Sequence, residues 1–128
     1  DGEAVESLRP ATRKAWLAEN PLPRDLPYYS LVTYPEPGRI SSALKPSVLK
    51  LRKVDARNDG MVLLEDQLIP GSTLIGCLNA DHWAVAVAIA RSHPVVGLTI
   101  VTRSDYPREA LAEAVLRFVE EDLATRGR

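Results

Sequence analysis

A chain of 128 residues, 45% apolar and 26% charged, has an ordinary globular composition and is long enough for one domain with a core. Its net charge of −1 leaves no electrostatic footprint for nucleic acid or an anionic membrane, and Lys50, Arg52 and Lys53 read as one solvated helix face. The longest uncharged apolar run, residues 83–90, falls far short of the roughly 20 residues that span a bilayer. No charged-then-apolar leader opens the sequence, so secretion is not indicated and the compartment stays unassigned. A single cysteine, Cys77, excludes an internal disulfide and a cysteine-cluster metal site; within an apolar stretch it reads as a small core residue.

In chain order, residues 11–20 read as a helix with Thr12 as a cap and Pro21 just past its end. Asn20-Pro21-Leu22-Pro23 and Asp25-Leu26-Pro27 are stiff, extended connectors, because each proline fixes its own φ and biases the residue before it away from helix. Residues 1–27 are therefore an N-terminal helix and proline-rich connector. They are either the end of a preceding cap or lid or a packed helix and its linker. Residues 28–34 carry aromatic and β-branched side chains over a strand's length, ended by Pro35, Pro37 and Gly38. Residues 40–54 then read as a helix with Leu44, Val48, Leu49 and Leu51 as its buried stripe and Pro46 near its start. Residues 73–78 form the next strand. Strand, helix, strand predicts a parallel pair joined by a right-handed crossover, with ligands bound beyond the carboxyl ends of the strands. Residues 83–90 alternate large and small apolar side chains, which suits a strand or a tightly packed helix equally. Residues 97–102 read as extended. A helix follows over about 107–124, with Asp105 near its cap, Pro107 in its first turn and Ala110, Leu111, Ala114, Val115, Phe118 and Val119 as its apolar stripe. Glu113 and Arg117 are spaced to pair on its wet face.

Two short stretches carry chemistry. Asn58-Asp59-Gly60 alone is a turn signal, and Asp81-His82-Trp83 alone suits a half-buried histidine. Together they place an Asp and a His 23 positions apart, each beside a strand whose end should face the same edge of a sheet. A buried carboxylate so placed can hold an imidazole in one tautomer and stabilise its protonated form. Rivals exist for both roles. His93 lies in a loop, Asp66 is a second candidate acid, and Asp81 adjoins His82 too closely to bond it, so it reads as a surface or turn carboxylate. Neither histidine has a partner at metal-ligand spacing, so no Zn²⁺ and no cofactor is expected.

Asn58-Asp59-Gly60-Met61-Val62 resembles the Asn-Asp-Gly-x-Val segment of bacterial triacylglycerol lipases and related α/β-hydrolases, and His82 stands about as far downstream as their histidine. The resemblance covers roughly residues 28–124. It implies an α/β fold with a mainly parallel sheet and crossover helices, and it implies that Asp59 is the triad acid and His82 the triad base. It also implies an ester or lipid-like substrate. The order of such triads is Ser, then Asp or Glu, then His, with the serine on a Gly-x-Ser-x-Gly turn. None of the seven glycines begins a Gly-x-Ser, and Ser72 lacks both flanking glycines. The expectation is therefore the C-terminal part of a serine ester hydrolase of the lipase or esterase type, with residues 28–128 as an incomplete hydrolase domain. Its nucleophile and oxyanion hole would be supplied by a missing N-terminal half, and the chain alone would be inactive. The competing expectation is a non-enzymatic α/β binding or assembly module in which Asp59 is a turn residue and His82 is structural.

Overall fold

The computed structural model describes residues 6–7, 9–86, 93–95, 97 and 106–127. The expectations for residues 87–90, residues 98–102 and Asp105 lie outside the described residues.

Two strands, β1 (Tyr29–Thr33) and β2 (Thr73–Leu78), pair in parallel, with a register irregularity between Ser30 and Leu31. Thr73 donates its N–H to the Tyr28 carbonyl at one end of the pair, and Tyr34 donates to Leu78 at the other. Both strands and their direction agree with the β-rich stretches of sequence. The expected helix over 40–54 is shorter and broken. A 3₁₀ turn at Pro37–Arg39 and another at Ser42–Leu44 precede α2 (Lys45–Leu51). Pro46 lies in the first turn of α2, where the missing N–H leaves no intrahelical partner unmet. Ile40, Leu44 and Val48 form the buried cluster, and Trp83 packs against it. Each such buried side chain stabilises the fold by roughly 1.5–3 kcal/mol. Leu49, expected in that stripe, is instead 62% exposed, because a helix of two turns presents one narrow face to the core and Leu49 sits off it.

Cys77 also departs from expectation. It is exposed, together with Leu74, because no described element covers that side of β2. The helix expected at 11–20 runs as α1 (Pro10–Glu19), entered through Pro10 rather than capped by Thr12, whose hydroxyl donates to Glu6 from inside the helix. Asn20 closes α1 by donating both its backbone and side-chain N–H to the Trp16 carbonyl. No residue of α1 is buried, and Trp16 is more than half exposed. An ion pair from Lys14 to Asp66 at 3.5 Å ties α1 to the segment before β2.

Residues 83–86 resolve the strand-or-helix ambiguity in favour of helix, within α3 (His82–Ala86). The last helix, α4 (Arg108–Arg126), meets β1 through an edge-to-face contact between Phe118 and Tyr29, with ring centres 6.1 Å apart. The Tyr29 hydroxyl donates to Asp122 at 2.7 Å, and Arg126 bonds the same carboxylate. Glu113 and Arg117 pair across one helical turn, as their spacing predicts.

These bonds shift both ends of the Tyr29–Asp122 link. The Tyr29 hydroxyl and the Arg126 guanidinium hold the Asp122 carboxyl below its ordinary range, and the bond to Asp122 raises the Tyr29 phenol. A depressed acid contributes stability above its unfolded value, about 3.9, which is lost as pH falls through the folded value. A raised phenol contributes stability below about 10, which is lost as pH rises through its own folded value. The thermal midpoint is therefore expected to be level between about pH 5 and pH 9 with respect to this link. Tyr29→Phe should remove its share of the alkaline loss, read from melting curves across pH.

Candidate active site

The segment between α2 and β2 is shaped around Asn58. Its side-chain amide donates to the Asp55 carbonyl, its Oδ1 accepts the Gly60 N–H, and its backbone bridges to Leu63. Gly60 turns the chain with φ +95°, and a Cβ there would lie 3.1 Å from Val48 Cγ2 and 3.2 Å from Leu44 Cβ. Glycine is required on two independent grounds, conformation and space. Gly60→Ala is expected to destabilise the fold by about 1–3 kcal/mol, read as a lowered unfolding midpoint. A change below about 0.5 kcal/mol would mean the turn relaxes freely.

That turn delivers Asp59 to the carboxyl end of β1. The Asp59 side chain is 4% exposed and its oxygens are fully engaged. Oδ1 accepts the N–H groups of Met61 at 2.8 Å and Val62 at 2.7 Å. Oδ2 accepts from His82 Nδ1 at 2.7 Å, and the Thr33 hydroxyl lies 3.3 Å away. His82 follows β2 and opens α3, and its backbone N–H donates to the Asp59 carbonyl at 3.0 Å. Backbone and side chain thus tie the same two residues together. Because a carboxylate only accepts, Nδ1 must carry the proton, and in the neutral ring Nε2 is left as the acceptor. The imidazole is 38% exposed where the carboxylate is closed off.

The rivals go elsewhere. Asp66 faces Lys14. His93 is exposed, and its carbonyl accepts the Gly97 N–H. Ser72 bonds Ser30 through their hydroxyls at 2.6 Å, at the amino ends of the strands, away from the Asp59 and His82 edge. Asp81 is neither a surface residue nor a loose turn residue. It is fully buried, with Oδ2 accepting from Ser41 N–H at 2.6 Å and Oδ1 accepting from Trp83 and Ala84 at 3.1 and 2.9 Å. It is the N-cap of α3, a role the sequence offers once 83–86 is read as helix.

Two further residues have no counterpart in the sequence reading. Gln67 accepts the Thr33 N–H at 2.7 Å and donates to the Thr33 carbonyl at 2.9 Å, so a side-chain amide stands where another strand's backbone could. Thr33 in turn reaches Asp59. A threonine closing a strand just before Pro35 was the available signal. Among the described residues, no group of three or more His, Cys, Asp or Glu could hold a metal ion, and no helix is long and apolar enough to cross a membrane.

No family model and no curated protein matches the chain. Among solved structures, a metagenomic carboxyl esterase is 40% identical to it, superposes with a TM-score of 0.80 and covers 94% of its length. The chain resembles an α/β-hydrolase. It spans 36% of the esterase it matches and so corresponds to part of that longer protein.

Proposed function

We propose that the chain is the C-terminal part of a serine carboxylic-ester hydrolase, in which Asp59 and His82 are the acid and base of a Ser-Asp-His triad. The observation that carries this reading is the 2.7 Å bond from His82 Nδ1 to Asp59 Oδ2 beyond the carboxyl ends of two parallel strands. The likeness to a carboxyl esterase supports it independently. Residues 28–128 are the hydrolase part in this reading, and residues 1–27 its connector. The nucleophilic serine and the oxyanion hole come from sequence outside this chain, and the substrate is an ester or lipid-like molecule. By itself the chain is inactive.

In that role His82 Nε2 takes the proton from the serine hydroxyl as it attacks the ester carbonyl. The imidazolium then returns the proton to the departing alkoxide, and the cycle repeats with water. Asp59 keeps the ring in the tautomer whose Nε2 is basic and balances the charge that forms on it. The acid tests the proposal most directly. In the full-length protein, Asp59→Asn is expected to lower kcat for a short aryl ester about 10⁴-fold, because the amide can hold the ring in the wrong tautomer. Activity within tenfold of the unmodified protein would reject the triad and favour a binding module. A Gly-x-Ser-x-Gly turn after an apolar strand upstream in the parent sequence is the matching expectation.

A further inference from the structure

We propose that Thr33 is a positioning residue of this site, its hydroxyl holding the Asp59 oxygen that receives His82; the inference rests on the triad reading above. A carboxylate offers about four lone-pair positions, two per oxygen. At Asp59 the two on Oδ1 are taken by Met61 and Val62, and His82 takes one on Oδ2. Thr33 Oγ1, at 3.3 Å, is the donor placed to fill the fourth. The same hydroxyl lies 3.3 Å from Gln67 Oε1 and has one proton to give. Gln67 Oε1 already accepts the Thr33 N–H at 2.7 Å, whereas the carboxylate is charged and so the stronger acceptor. The proton therefore belongs to Asp59.

The consequence is angular. Oδ1 fixes the carboxylate to its own turn, whereas among the described residues only Thr33 approaches Oδ2 from the sheet. With both oxygens held, the carboxylate cannot swing about its Cβ–Cγ bond, and the lone pair facing His82 keeps its direction. Thr33 is itself fixed, because Gln67 grips its N–H and its carbonyl. A change at Thr33 should thus act on the orientation of the imidazole, a quantity that matters in the chemical step, and not on substrate affinity.

The test compares Thr33→Val with Thr33→Ser in the full-length protein, with a short aryl ester as substrate. Valine keeps the branching and volume that suit a buried strand position, so folding is retained; serine keeps the hydroxyl. Thr33→Val is expected to lower kcat about tenfold, the equivalent of one charge-assisted hydrogen bond, with KM within about twofold, and Thr33→Ser to restore kcat. The second readout is the far-downfield proton resonance of the His82 Nδ1–H, which should move in Thr33→Val and stay in Thr33→Ser. Equal kcat in the two variants, a change confined to KM, or an unmoved resonance in Thr33→Val overturns the assignment of Thr33 alone. Absence of the resonance in the unmodified protein, or full activity in His82→Ala, overturns the triad reading and the role of Thr33 with it.

Discussion

Replacing His82 by Ala in the full-length protein is expected to lower kcat for a short aryl ester by several orders of magnitude, while His93→Ala stays within a few-fold. A serine hydroxyl is a weak nucleophile until a base at hydrogen-bond distance takes its proton, and removing that base removes the activation outright. His82 is bonded to a buried carboxylate, and its ring is partly open on a strand-end edge. His93 is exposed. The loss should fall on kcat, with KM little changed, because the histidine acts in the transition state rather than in binding the ground state. Truncation also leaves Asp59 with an empty acceptor position, so the unfolding midpoint belongs beside the kinetics. A large fall in kcat with a small fall in midpoint is the expected pattern. Comparable losses at both histidines, or a loss at His93 alone, would reassign the base.

What could be read from the sequence divides along a physical line. Strand β2 was legible because six residues with apolar and β-branched character stand between turn residues, a local signal that packing had no need to override. The meeting of Asp59 and His82 was legible because strand direction is set by the crossover, which sends both turns to one edge. The same reasoning failed for Leu49 and Cys77, since a periodic stripe says which residues share a face but not whether anything covers it. It failed differently for Thr33, Gln67 and Asp81. Each is a polar residue with a hydrogen-bond partner distant in sequence, and pairing of that kind has no periodicity to detect.

Asp81 carries the second large effect. Its carboxylate is fully buried and accepts three backbone N–H groups, one from Ser41 and two from the first turn of α3. Asp81→Ala would leave all three donors without this acceptor, where each buried unsatisfied group costs about 1–3 kcal/mol, and would strip α3 of a cap worth about 1 kcal/mol. A loss of about 3 kcal/mol or more is expected from urea unfolding, a large part of the 5–15 kcal/mol that holds a typical domain together. Asp81→Asn should fall between the two, because its single oxygen can keep the α3 cap or the Ser41 bond but its amide cannot accept the other. A surface carboxylate would give a change within about 0.5 kcal/mol in both variants, and that outcome would remove Asp81 from the interior. The effect reaches the site as well. Asp81 joins the 3₁₀ turn that begins after Ser41 to the helix whose first residue is His82, so a frayed α3 moves the imidazole even with Asp59 in place. The same variant should therefore lower kcat at temperatures where the protein remains folded, and Asp81→Asn should recover part of it.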